Sequence, residues 1–163
     1  MRSARCSAFH LGEEAVAAVP PKADTPDFFI VDNTRIKNLH TNGGIVLFKK
    51  SVQRDTCMRI PPAFIAVIDS DNSEAADVLL EDGIQTVTCG LSQKDTVTFS
   101  SLENDRAVVS LQRRLTALDG KEVEPVEFPV VCAPERREYP LLAAVAVLLL
   151  TGVQMPKDGL ILE

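Results

Sequence analysis

The chain has 163 residues, 45% of them hydrophobic and 25% charged, with a net charge of −6 at neutral pH and a pI near 5.0. That balance describes a soluble globular protein long enough for one domain with a real core. The acidic surplus argues against a nucleic-acid role, which needs clustered Lys and Arg, and the only short basic groups, Lys49-Lys50 and Arg113-Arg114, read as solvated strand ends.

Residues 1–26 are Ala-rich, carry Pro20, Pro21 and Pro26, and show no sustained periodicity, so they read as a flexible tail ahead of a single domain spanning 27–163. The basic start is followed by Glu13, Glu14 and only a weak apolar patch, a poor secretory signal, which predicts a cytoplasmic protein. Phe28 to Val31 is a short strand candidate. Ile36 to His40 and Ile45 to Lys49 flank Asn42-Gly43, whose positive-φ preference predicts a hairpin.

Phe64 to Ile68 is a continuous apolar run, the pattern of a strand covered on both faces. It stops at Asp69-Ser70-Asp71-Asn72-Ser73. Ser73 is placed to cap a helix over Glu74 to Glu81, with Ala75, Val78 and Leu79 on its apolar face and Gly83 as its stop. Ile84 to Cys89 is then the second strand of a βαβ unit. Beyond it the period falls to two, through Val97 and Phe99, Val109 and Leu111, and Val126, Phe128 and Val130, which predicts half-exposed antiparallel strands. Asp119-Gly120 supplies the turn before the last of these, and Pro125 and Pro129 place that strand at a sheet edge.

Leu141 to Val153 is apolar nearly all round, as in a helix buried between layers, with Gly152 able to end it. Its apolar run is too short to cross a bilayer, which takes about 20 residues. Met155 to Asp158 begins a final turn or helix. Leu160, Ile161 and Leu162 then either dock on the core or lead into more protein. The fold class predicted is α/β, with α+β as the alternative.

Gly44 to Ser51 nearly matches the G-x-x-x-x-G-K-[ST] phosphate loop, but Lys49 stands where the second Gly belongs and Ile45 to Phe48 is strand-like, so the match is coincidental. Cys6, Cys57, Cys89 and Cys132 lack metal or disulfide spacing and read as packed thiols; with only His10 and His40 in the chain, no metal site and no catalytic triad is signalled. Glu122 and Glu124 share a face that reads as a wet strand surface. The candidate ligand-binding residues are Asp69, Asp71 and Asn72, at the carboxyl end of a buried strand, where open α/β sheets bind ligands. A capped, solvated turn is the plainer reading of the same residues.

Ile65 to Asp71, a helix, and Val87-Thr88-Cys89-Gly90 resemble the segment of the Mur-type peptide ligases in which a strand ends in Asn-x-Asp-Asp and the next ends in Phe-Gly. Glu138 to Ala144 and the helix to Gly152-Val153 are similar to that family's His-Asn-x-x-Asn-x-x-Ala-Ala helix. The resemblance covers residues 63–155 and implies a partial central domain: a βαβ unit, an antiparallel extension and a buried C-terminal helix. In the intact family it implies ATP-driven acyl-phosphate formation followed by amide-bond formation. Here Arg136-Arg137 replace His-Asn, Pro140 replaces the second Asn, and the Gly-Lys-Thr loop, the metal-binding Glu and His and the last domain have no counterpart. The expectation is therefore a non-catalytic or accessory domain linked to peptidoglycan precursor metabolism, with no cofactor and no catalytic residues of its own. The alternatives are a subunit of a split ligase completed by a protein partner, or a small-ligand-binding protein.

Overall fold

A computed structural model describes residues 6–9, 28–30, 43–49, 60–103, 106–132, 138–153, 155–156 and 159–162. They fall in two compact units, the first reaching Thr88 and the second running on from Cys89. Among the described residues, strands and two helices build an α/β fold.

In the first unit, β1 (Cys6–Phe9), β2 (Phe28–Ile30), β3 (Gly44–Leu47) and β4 (Phe64–Asp69) form a parallel ladder in the order β2-β1-β3-β4, with β5 (Gln85–Cys89) next to β4. β1 falls inside the stretch expected to be a tail. Every residue of β4 is buried, as its unbroken apolar run requires of a central strand. Val46 lies opposite Ala66, and with Phe48, Phe64 and Ile68 they make the sheet side of a core cluster. Helix α1 (Ser73–Asp82) supplies the other side through Ala75 and Leu79. Burying the larger of these side chains, Val46, Phe48, Phe64, Ile68 and Leu79, stabilises by about 1.5–3 kcal/mol each.

The ends of α1 follow its sequence signals with one correction. Gly83 adopts the left-handed conformation at φ 62° and donates its N–H to the Leu79 carbonyl at 3.2 Å, as expected of a glycine stop. The N-cap, however, is Asn72 rather than Ser73. Its side-chain oxygen accepts the Ala75 N–H at 3.1 Å, because the helix begins at Ser73, one residue earlier than the Ser73-cap reading assumed.

The expected hairpin is also corrected. Its first arm, Ile36 to His40, lies outside the described residues, but its second arm became β3, and both edges of β3 are taken by parallel neighbours, β1 and β4. No edge is left for an antiparallel partner. Gly43 is instead required by close packing: its φ is 141°, and a Cβ there would stand 2.7 Å from the Ala63 carbonyl oxygen.

In the second unit, Cys89 pairs in parallel with Val97 of β6 (Val97–Leu102), and β7 (Arg106–Leu111) and β10 (Val126–Cys132) continue the sheet antiparallel, as the alternation predicted. Phe128, Val130 and Cys132 are buried while Glu127, Pro129 and Val131 are exposed, so the period of two is read out directly. Asp119-Gly120 does make a turn, but inside a separate small ladder of β8 (Leu115–Thr116) and β9 (Glu122–Val123). β10 is not an edge strand along its whole length: β11 (Leu160–Leu162) pairs in parallel with Val130 to Cys132. Pro129 lies just before that pairing begins, where a missing N–H costs no ladder bond with β11.

Helix α2 (Glu138–Leu150) packs against β6 and is buried nearly all round, with Leu142, Val145, Ala146 and Leu150 wholly inside. Pro140 is tolerated because it sits in the first turn, where a backbone N–H has no intrahelical acceptor. The last four carbonyls are all satisfied. Those of Val147, Leu148 and Leu149 accept from Thr151, Val153 and Gly152, and that of Leu150 accepts the Leu118 N–H at 2.8 Å from the β8–β9 turn. Gly152, at φ 74°, makes this ending possible.

Candidate functional site

The turn between β4 and α1 is held by its own side chains. Asp69 is 4% exposed, and its Oδ1 accepts the Asp71 N–H at 3.0 Å while its carbonyl accepts the Asn72 N–H at 3.0 Å. This is an Asx turn, the local geometry that aspartate favours at the end of a strand. Asn72 caps α1 with its oxygen and donates Nδ2–H to the Lys49 carbonyl at 2.9 Å. One side chain thus ties the start of the helix to the residue just past β3.

The structure brings Asp69, Asp71 and Asn72 together as the sequence predicted, at the carboxyl end of β4. Their environments differ. Asp69 and Asn72 are committed to the turn, whereas the Asp71 side chain is exposed. The Ser73 N–H is also occupied, donating to the Asp71 carbonyl at 3.2 Å, so with Ala75 capped two amides of the first turn are already engaged. Among the described residues no group of three or more His, Cys, Asp or Glu is placed to hold a metal ion. The part of Lys49 in this arrangement was missed from sequence, because a main-chain carbonyl leaves no residue-type signal.

The near-match to a phosphate loop is a strand over Gly44–Leu47. Gly44, Ile45 and Val46 are buried and paired on both sides, and Phe48 extends the ladder by donating its N–H to Val67 at 2.9 Å. Phosphate cradles need several amides turned toward one point, and a strand alternates them toward its neighbours instead. Lys50 and Ser51 lie outside the described residues.

The remaining candidates take structural roles. Arg114 reaches Glu122 at 3.2 Å and Glu124 at 2.9 Å, so the two carboxylates flank one guanidinium on an exposed surface, in keeping with a wet strand face. Ser100 donates its hydroxyl to Glu127, again at an exposed position. Cys89 and Cys132 are buried among core side chains. Asp119 accepts from Lys121 twice, from its Nζ at 2.7 Å and its N–H at 3.0 Å, and these hydrogen bonds hold the Asp119 carboxyl below its ordinary value while raising that of Lys121. His10, His40, Cys57, Arg136 and Arg137 lie outside what the structure describes at side-chain level.

No helix among the described residues is long and apolar enough to cross a membrane. No family model matches the chain and no curated protein matches it.

Proposed function

We propose that this chain is a non-catalytic, accessory α/β module of Mur-ligase-like descent, cytoplasmic, and associated with cell-envelope precursor metabolism. The order of elements supports the descent: a buried strand, an acidic turn, a helix and a strand, then antiparallel strands and an apolar helix. One observation carries the non-catalytic part of the reading. The stretch nearest in sequence to a phosphate loop, Gly44–Leu47, spends its backbone groups on two parallel neighbours and has none arranged around a triphosphate.

At the β4–α1 turn, Asp71 is the side chain available to a ligand, since Asp69 and Asn72 are used in holding the turn. Isothermal titration of the purified chain with Mg-ATP is expected to give no binding; a micromolar affinity would overturn the proposal. Asp71→Ala separates the turn from the rest: a ligand affinity that it leaves unchanged does not use this turn.

A further inference from the structure

We draw no further inference here: the strongest candidate, the exposed apolar pair Val131 and Ile161 on the β10–β11 ladder at the end of the second unit's strand order, is an unpartnered sheet surface, and nothing in the structure shows what covers it.

Discussion

The two helices are held in opposite ways. α1 is amphipathic, buries one face through Ala75, Val78 and Leu79, leaves Leu80 81% exposed, and depends on a side chain, Asn72, to fix where it starts. α2 has no wet face to orient it, and its end is fixed by main-chain groups of its own last turn and of the β8–β9 turn. A helix on the flank of a sheet needs local signals to set its frame, whereas one enclosed by core is positioned by packing.

The sharpest way to break this contrast is to remove equivalent leucines. Leu142→Ala, at a position with no exposure, is expected to cost about 2–5 kcal/mol in urea denaturation. Leu80→Ala is expected to change stability by about 0.5 kcal/mol or less. Similar losses at both sites would mean that α1 is enclosed as α2 is.

The cap comes next in size. Asn72→Ala removes both the helix cap and the bond to the Lys49 carbonyl, for an expected loss of about 1–2 kcal/mol. Asn72→Asp keeps a capping oxygen and loses only the donor, so it is expected to fall between wild type and Asn72→Ala. Equal stability of all three proteins would remove Asn72 from the account of how α1 is fixed.

A smaller effect of opposite sign is expected at Thr98, on the strand that α2 packs against. Among the described residues its buried hydroxyl has no hydrogen-bond partner, although Ser110 beside it receives a bond from Gln112 at 2.8 Å. Thr98→Val removes an unsatisfied group at nearly constant volume and is expected to be neutral or to stabilise by up to about 1 kcal/mol. A clear loss of stability would show that the hydroxyl has a partner after all.

The smallest effect concerns the turn that meets the end of α2. Because the hydrogen bonds from Lys121 lower the folded-state pKa of Asp119, the stability they lend is present above the ordinary value of 3.8 and is lost as pH falls through the lowered folded value. The pair is largely solvated, so salt and water screen it. Asp119→Asn is expected to flatten the acid limb of the stability profile slightly, in acid denaturation followed by circular dichroism, and to leave neutral-pH stability nearly unchanged.

What could be read from the residues depended on whether the signal was local. β4, α1, β5, the alternating strands and α2 each carry their period within a few residues, so their places were legible. The Asn42-Gly43 hairpin failed because turn chemistry is local but pairing is not: β1, lying more than thirty residues before β3, occupies the edge that a hairpin partner would have used. β11 and the β8–β9 ladder were illegible for the same reason, being short segments defined by what they pair with. At the candidate site, Asp69 and Asp71 were found because carboxylates after a buried strand stand out. Sequence could not show that one carboxylate faces its own backbone and the other faces water.

The reading of the chain as non-catalytic rests on the amides of Gly44 to Leu47 being engaged in the ladder. Backbone amide resonances followed by NMR during a Mg-ATP titration report on those groups directly. The amides from Gly44 to Lys49 are expected to stay in place throughout, with those of Ile45 and Val46 exchanging slowly with solvent. Saturable shifts concentrated on these residues would contradict the assignment of this segment as strand rather than phosphate loop.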